Sequence, residues 1–368
     1  MIKKPRNISL RAGELADAYA LKTLYNELKS IFPNDHLYFS LAPRSGIPPE
    51  IFEGYPVLKH GIIQPDYELN KSKPSMVIMV RSDTTEDLPR LEGGKYRTLC
   101  IDASLLKAMR PLPSNERCHE IKERYKLDGI ERPLITLGWL GYYNKSIETV
   151  SKQKKRQTEK LISLLAERAH LITTPGRCND SSLETYDLSR ETLSNITDVP
   201  GWGHLADLYA VSDVALSWAN FWKCGGNLNN FYEQTQGAPF FLVPTKNAKQ
   251  YGYNEFVGQG LVRPCKDLEE ITQKIIEFLD ELGNNPQIKE NHRQKWITHR
   301  EKTRENYIPK ISERIDWILN SGRKSEVFTY VHPESDWGDV DFTDDFTEIF
   351  EDSYKSKLKG DVKLRSAA

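Results

Sequence analysis

The sequence predicts an α/β protein with two doubly wound parallel sheets, one in each half of the chain. Short apolar segments alternate with helical patterns over most of the 368 residues. This alternation pauses once, between residues 110 and 131, where proline and charged residues are concentrated. Strands that alternate with helices are typical of parallel sheets covered by helices on both faces. The length also suits two domains with separate cores.

The first half contains four predicted strands and one amphipathic helix. The strands are the apolar segments 7–10, 36–42, 74–80 and 96–102. Between the first two, one helix face carries the apolar side chains Leu15, Leu21, Leu24, Tyr25, Leu28 and Ile31. Their helical spacing predicts that this face packs against the sheet.

The second half repeats the order of strand, helix and strand. Predicted strands occupy 134–141, 170–176, a segment ending near 218, 238–244 and 258–264, with helices over 157–168 and 268–282. We therefore predict a first domain at 1–130, a second domain at 131–300, and a C-terminal helix with an acidic tail at 301–368.

The composition excludes several classes of protein. Lysine and arginine (51) balance aspartate and glutamate (52), so no overall charge favours nucleic-acid binding. The five cysteines form no CxxC pair, which favours reduced thiols and a cytoplasmic location over a disulfide scaffold or a zinc site. We expect neither a secretion signal nor a transmembrane helix. The basic segment 152–160 predicts a solvated helix face or, alternatively, peripheral contact with the inner membrane face.

Two short segments carry candidate chemical groups. Glu14 follows Gly13 at the turn between the first strand and the first helix. A carboxylate there either stabilises the positive end of the helix or serves as a catalytic group, because α/β proteins bind ligands at the carboxyl ends of their strands. Gly225 and Gly226 precede a predicted helix, and paired glycines allow the backbone to approach a phosphate closely. A structural turn remains the alternative for the glycine pair.

The segment GHLADLYAVSDVALSWANFWKCGGNLNNFYEQTQGAPFFLVP resembles the donor-binding region of the GT-B glycosyltransferases. It is most similar to the Kdo (3-deoxy-D-manno-octulosonate) transferases of lipopolysaccharide synthesis. Gly203-His204-Leu205 matches that family's GEL, Ser212-Asp213-Val214-Ala215 matches its ADVA, and Gly237-Ala238-Pro239 matches its GxP. The resemblance implies a GT-B fold, in which two Rossmann-like domains face each other across a cleft. It also implies that the first domain, 1–130, lies on the acceptor side and that the second domain, 131–300, binds the nucleotide-sugar donor.

The start of the chain resembles the same family. Arg11-Ala12-Gly13-Glu14, between the first strand and the first helix, stands where family members have SVGE. The glutamate at that position is the family's proposed catalytic base. The resemblance therefore implies that Glu14 accepts the proton of an acceptor hydroxyl, for which a carboxylate within hydrogen-bonding reach is sufficient.

The resemblance also implies a set of donor-binding residues and no metal site. The set comprises Gly138, Arg177, Gly203, Gly225, Gly226, Asn227, Asn229 and Glu233. Arg177 is suited to the donor phosphate, since a guanidinium group binds phosphate through two hydrogen bonds. The segment GGNLNN is one residue longer than its family counterpart, so either Tyr232 or Glu233 takes the place of the family's glutamate.

The sequence therefore predicts a metal-independent glycosyltransferase. It would move a sugar, Kdo or a related acidic sugar, from a CMP- or UDP-linked donor to a hydroxyl of a glycan or glycolipid, with no other cofactor. One alternative is a sugar-nucleotide epimerase or hydrolase on the same frame, which would need further titratable groups such as His60, His119 or His204. The other alternative is a non-catalytic relative that only binds glycans.

Overall fold

The structure is a computed structural model that describes residues 5–12, 15–41, 52–59, 62–64, 75–81, 97–137, 152–173, 183, 186–199, 205–218, 235–243, 254–321 and 325–328. These residues form two compact units. Unit 1 consists of the described parts of Met1–Pro111 and Thr298–Val331, and unit 2 consists of those of Leu112–Ile297.

Thirteen strands and nine helices lie within the described residues. The strands are β1 (Asn7–Ala12), β2 (His36–Leu41), β3 (Val57–Lys59), β4 (Ile62–Gln64), β5 (Met76–Arg81), β6 (Arg97–Asp102), β7 (Leu134–Thr136), β8 (His170–Thr173), β9 (Ile196–Asp198), β10 (Val214–Trp218), β11 (Phe240–Val243), β12 (Val262–Pro264) and β13 (Ser325–Phe328). The helices are α1 (Leu15–Ile31), α2 (Ala103–Met109), α3 (Asn115–Arg124), α4 (Lys152–Arg168), α5 (Arg190–Ser194), α6 (Leu205–Val211), α7 (Asn254–Gly258), α8 (Leu268–Asn284) and α9 (Gln287–Ser321).

Unit 1 contains a seven-stranded sheet in the order β13-β6-β5-β1-β2-β3-β4. All neighbouring strands are parallel except β3 and β4, which form an antiparallel pair. The core side chains of β1 and β5 are fully buried, among them Ile8, Leu10, Ile78 and Val80. Apolar side chains of α1, α2 and α9 complete this core.

The predicted apolar face of α1 is confirmed where its side chains are described, with one exception. Leu21, Leu24 and Leu28 are fully buried, and Tyr25 packs against the same core. Ile31 was predicted on this face but is 41% exposed. It is the last residue of the helix, where the chain turns away towards β2, so the face ends one turn earlier than the sequence pattern indicated.

Unit 2 contains a six-stranded sheet in the order β12-β11-β10-β7-β8-β9, and every neighbouring pair is parallel. Adjacent residues of its strands face opposite cores. Ile135 and Leu171 pack with α4 and α8, whereas Leu134 and Ile172 pack with α3 and α6. Helices on both faces and this strand order are those of a doubly wound, Rossmann-like sheet. The predicted α/β class with two such sheets is confirmed.

The chain passes from unit 2 back to unit 1 within α9. Unit 1 is therefore built from two separate segments of the sequence. Unit 1 ends its first segment at Pro111, so α3 belongs to unit 2. After Ile297 the chain is again part of unit 1, to which it adds the edge strand β13. The predicted assignment of acceptor and donor roles to residues 1–130 and 131–300 stays a prediction.

Within unit 1, α9 is held by arginine side chains that bind backbone carbonyl groups. Arg300, which is almost fully buried, donates from Nη1 to the carbonyl oxygens of Lys107 at 2.9 Å and Arg110 at 2.6 Å. Arg97 of β6 donates to the carbonyl oxygens of Ile318 and Leu319 near the end of α9. Such bonds satisfy carbonyl groups that a helix end leaves without partners.

Candidate functional site

The strand order gives each unit one place where ligands are expected. Chain connections leave in opposite directions from two adjacent strands, β1 and β5 in unit 1 and β7 and β10 in unit 2. In open α/β sheets ligands bind outside the carboxyl ends of the strands at such a switch point. The candidate sites therefore lie beyond the ends of β1 and β5 and of β7 and β10.

The predicted catalytic residue and all predicted donor-binding residues lie outside the described residues. These are Glu14, Gly138, Arg177, Gly203, Gly225, Gly226, Asn227, Asn229 and Glu233. The described strands nevertheless show which strand each of these residues follows in the sequence. Glu14 comes between the end of β1 at Ala12 and the start of α1 at Leu15, and Gly138 comes two residues after β7 ends at Thr136.

The other predicted donor-binding residues also follow carboxyl ends of unit 2 strands. Arg177 follows β8, which ends at Thr173, and Gly203 follows β9, which ends at Asp198. The segment from Gly225 to Glu233 lies between β10 and β11. Because all six strands are parallel, every one of these segments leaves the sheet at the same edge.

One described carboxylate, Asp198, lies at this edge and was not predicted. The Thr173 hydroxyl donates to Asp198 Oδ1 at 3.0 Å, and the two residues are register partners at the ends of β8 and β9. The backbone N–H of Val199 donates to the Thr173 carbonyl at 2.9 Å, which continues the strand pairing beyond β9. Thr173 is fully buried, whereas Asp198 is exposed. The only sequence signal was an aspartate five residues before Gly203, where the segment that carries the resemblance begins.

The motif that matches the family's ADVA has a structural role. The Ser212 hydroxyl lies 2.6 Å from the Thr136 hydroxyl and donates to the Leu208 carbonyl at 2.9 Å. Asp213 accepts from the Leu134 N–H at 2.7 Å and forms a 2.5 Å ion pair with Lys289. Asp213 precedes β10, so it lies at the amino edge of the sheet, opposite the predicted donor site.

Gly237, which matches the family's GxP, adopts a backbone conformation that favours glycine. Its φ is +115°, a left-handed value that side chains rarely allow. A β-carbon there would also lie 3.3 Å from Leu112 Cδ1 and 3.4 Å from Arg293 Nη1. The Arg293 guanidinium is itself fixed, because it donates to the Pro113 carbonyl.

Replacing Gly237 with alanine is expected to lower the free energy of unfolding by about 1–3 kcal/mol, the usual cost of an unfavourable backbone conformation. Gly129→Ala is the control, since nothing lies within 4 Å of the position its β-carbon would take. It should change the free energy by less than about 0.5 kcal/mol. Urea denaturation of both variants measures the difference, and equal stabilities would contradict the steric argument.

A buried cluster in unit 2 joins Arg263 of β12 to His292 of α9. The Arg263 guanidinium lies between the rings of Phe241 and Phe278, 5.3 and 4.9 Å from their centres. His292 Nε2 is 3.3 Å from Arg263 Nη2 and accepts its hydrogen bond, so Nδ1 carries the proton of the neutral ring. Burial, with the positive charges of Arg263 and Lys295, lowers the pKa of His292 to about 4.

Few of the described side chains are suited to act as a nucleophile or as the acid or base of an epimerase. Burial raises the pKa of the thiols of Cys118 and, to about 12, of Cys265, so neither is an activated nucleophile. His119, named for the epimerase alternative, is exposed on α3 and lies 3.3 Å from Glu123. His60 and His204 lie outside the described residues.

Among the residues that the structure describes, no three histidine, cysteine, aspartate or glutamate side chains are grouped to hold a metal ion. Within the same part of the chain, no helix is long and apolar enough to cross a membrane.

Comparison with known proteins gave similarities at the level of structure only. No protein-family model and no curated protein sequence matches the chain. Similar solved structures include the spinosyn forosaminyltransferase SpnP, with 10% identity, 86% of this chain and 99% of that chain covered, and a TM-score of 0.45. The glycosyltransferase VinC in complex with DTDP has 11% identity, coverages of 86% and 100%, and a TM-score of 0.44.

MurG of Acinetobacter baumannii is a third similar structure, with 13% identity, coverages of 85% and 99%, and a TM-score of 0.38. Since all three TM-scores are below 0.5, the strand order of the two sheets is the basis of the fold assignment.

Proposed function

We propose that this chain is a glycosyltransferase of the GT-B type, which moves a sugar from a nucleotide-activated donor to a hydroxyl group of a glycan or glycolipid. One observation carries the proposal. In both units the residue that the resemblance selects for chemistry follows the strand at the switch point: Glu14 follows β1 and Gly138 follows β7. Switch points are where doubly wound sheets bind ligands, and this agreement with the resemblance supports the proposal.

In the proposed reaction, Glu14 of unit 1 acts as the general base. The acceptor hydroxyl gives its proton to the Glu14 carboxylate while its oxygen forms a bond to the anomeric carbon of the donor sugar. The bond between that carbon and the phosphate oxygen breaks, and its electron pair leaves with the nucleotide. A positioned carboxylate is sufficient for this proton transfer.

Unit 2 would bind the nucleotide. Backbone N–H groups near Gly138 and the glycine pair Gly225 and Gly226, together with Arg177, would stabilise the charge that develops on the leaving phosphate. Either Glu233 or Tyr232 would bond the ribose hydroxyls. These groups supply positive potential without a cation, which is why we propose a metal-independent transferase.

The resemblance to the Kdo transferases supports Kdo or a related acidic sugar as the transferred group. A glycolipid acceptor would place the protein in the cytoplasm with peripheral contact at an anionic membrane surface. The basic first half of α4 is the segment suited to that contact, at up to about 1 kcal/mol per basic residue.

The test is incubation with a panel of CMP- and UDP-sugars, with and without a glycolipid extract, while nucleotide release is measured. A transferase releases nucleotide only when donor and acceptor are both present. Release without an acceptor would indicate a hydrolase, and conversion of the donor sugar without release would indicate an epimerase. Donor binding without any turnover would support a non-catalytic relative and would contradict the proposal.

Removal of divalent cations is expected to leave turnover unchanged within about two-fold. The reason is that the proposed charge stabilisation comes from Arg177 and from backbone N–H groups. Rates measured after EDTA treatment and gel filtration, with and without added Mg²⁺ or Mn²⁺, check this. Loss of turnover that either metal restores would show that the leaving phosphate needs a cation.

A further inference from the structure

We infer that Arg11 determines acceptor specificity by binding an oxyanion, a carboxylate or a phosphate, that the acceptor carries close to its reacting hydroxyl. This inference rests on the proposed function, because it names the chemical class of the acceptor for the same site. The contact is specific to this chain, since the family that the sequence resembles has a serine where this chain has Arg11.

Arg11 is an exposed, charged residue of an inner strand. The strand β1 lies between β2 and β5 in the seven-stranded sheet, and Arg11 is the register partner of Met79 of β5. Inner strands of parallel sheets are covered on both faces and are mostly apolar. The side chains of residues 7–10 in β1 are buried accordingly, whereas that of Arg11 is exposed. Packing within the sheet therefore does not explain an arginine at this position.

The face of the sheet that carries Arg11 is accessible at the carboxyl end of β1. Ile8 and Leu10 pack with α1, α2 and α9, so Arg11 lies on the opposite face, as Ser9 does. Ser9 and its register partner on β2 are each 3% exposed. Towards the carboxyl end, Ser40 of β2 and Met79 of β5 are only partly buried, and Arg11 on the strand between them is exposed. The accessible region thus coincides with the switch point of unit 1.

The guanidinium group of Arg11 is available to a ligand. Within the part of the chain that the structure describes, no carboxylate forms an ion pair with it. By contrast, Arg6, which precedes the other end of β1, is held by Asp35 and Asp316. A guanidinium group binds a carboxylate or a phosphate through two parallel hydrogen bonds. An oxyanion is therefore the ligand group that suits Arg11 best.

The position of Arg11 in the chain assigns this oxyanion to the acceptor. Arg11 precedes the proposed general base Glu14 by three residues, and three residues of chain span at most about 11 Å. An acceptor whose hydroxyl gives its proton to Glu14 would therefore place groups of the same or the next sugar ring near Arg11. The donor phosphate is assigned to unit 2, so an anionic group bound by unit 1 belongs to the acceptor.

The experiment compares acidic with neutral acceptors. Anion exchange separates a glycolipid extract into two fractions, and nucleotide release is measured with each fraction and the donor that wild type uses best. Wild type should use the acidic fraction at least about 10-fold better. Arg11→Gln should lower kcat/KM for the acidic fraction by about 10- to 100-fold, mainly through KM, which is the usual loss for hydrogen bonds to a charged group. Its turnover of the neutral fraction and its affinity for CMP and UDP should change less than about two-fold.

Two further variants and two treatments define the contact. Arg11→Lys keeps the charge but not the paired hydrogen bonds, so it should lose only about 3- to 10-fold, and it replaces Arg11→Gln if that variant is unstable. Arg314→Gln is the matched control, because it removes an exposed arginine of α9 in the same unit and should leave every rate unchanged. Aqueous hydrofluoric acid removes phosphate esters from the acidic fraction, and borohydride after carbodiimide activation reduces its carboxylates. The treatment that abolishes the preference of wild type identifies the oxyanion.

The outcomes separate this inference from the proposed function. If wild type releases nucleotide with neither fraction, the proposed function fails and this inference fails with it. If wild type uses both fractions equally well, or if neither treatment removes its preference, only this inference is overturned. If Arg11→Gln weakens the binding of CMP and UDP as much as it lowers kcat/KM, Arg11 contacts the donor, and the assignment to the acceptor is wrong.

Discussion

Glu14→Gln is expected to lower turnover by about 10²–10⁴-fold while the affinity for nucleotide stays nearly unchanged. Glutamine keeps the shape and hydrogen-bonding capacity of glutamate but cannot accept the acceptor's proton. Nucleotide binding is assigned to unit 2, whereas Glu14 follows β1 of unit 1, so the two effects should separate. Steady-state kinetics beside calorimetric titration of CMP or UDP measures both.

Two comparison variants make this prediction specific. Glu233→Ala should instead weaken nucleotide binding by about 1.5–3 kcal/mol if its carboxylate bonds a ribose hydroxyl. Glu53→Gln removes an exposed carboxylate of unit 1 and should leave both quantities unchanged. Normal turnover by Glu14→Gln would mean that Glu14 only stabilises the start of α1, and the proposed mechanism would be wrong. Normal binding by Glu233→Ala would transfer the ribose contact to Tyr232 or Asn229.

The parts of the fold that were predicted correctly are those in which burial is visible in the sequence. The strands β1, β5 and β10 carry apolar residues that both sheets bury, and α8 carries an apolar residue at every helical turn. Such segments have few other ways to remove apolar surface from water. Their existence was therefore predictable, although their ends differed by a few residues.

Elements that depend on distant partners were not predictable in this way. The strands β3 and β4 have three residues each, too few to show a periodic pattern. The strand β13 pairs in parallel with β6, although in the sequence the whole segment Leu112–Ile297 of unit 2 lies between the two strands. Its sequence, SEVF, does not indicate that distant partner. Short strands of this kind form because an existing sheet offers them a partner edge.

The candidate site shows the same limit. The order of strands and glycine-rich turns indicated that Glu14 and the donor segments follow the carboxyl ends of strands. It did not indicate Asp198, because the partnership with Thr173 exists only after β8 and β9 pair. Conversely, Ser212 and Asp213 match a motif from the donor-binding region of the family that the sequence resembles, yet they stabilise the amino edge of the sheet. A residue can therefore carry a family resemblance through its structural role.

Acid is expected to destabilise the protein through two buried histidines of α9, well before most carboxylates are protonated. Burial, together with nearby cations, lowers the pKa values of His292 and His299 from 6.5 to about 4. Between these two pH values the unfolded chain binds a proton at each position and the folded chain does not. The stability that the two neutral histidines contribute is therefore fully present above about pH 6.5. As the pH falls towards 4, the free energy of unfolding decreases by about 3 kcal/mol per histidine.

His292→Gln tests this most directly, because glutamine can still accept a hydrogen bond from Arg263 but does not titrate. The charged groups that act on His292 are Arg263 from β12 and Lys295 from its own helix. Between pH 7 and pH 4 the free energy of unfolding of the variant should therefore decrease by about 3 kcal/mol less than that of wild type. Urea denaturation at several pH values measures this difference.

The control for this measurement is Ile275→Val, a substitution in the same unit that should cost about 0.5–1.5 kcal/mol equally at every pH. This control separates a change in the pH dependence of the free energy of unfolding from a loss of stability that is the same at every pH. If His292→Gln and wild type lose stability in parallel as the pH falls, His292 must bind its proton in the folded state as readily as in the unfolded chain. The hydrogen bond from Arg263 to a neutral His292 ring would then be wrong. A flatter profile for His292→Gln alone would instead identify the contact between β12 and α9 as the acid-sensitive part of unit 2.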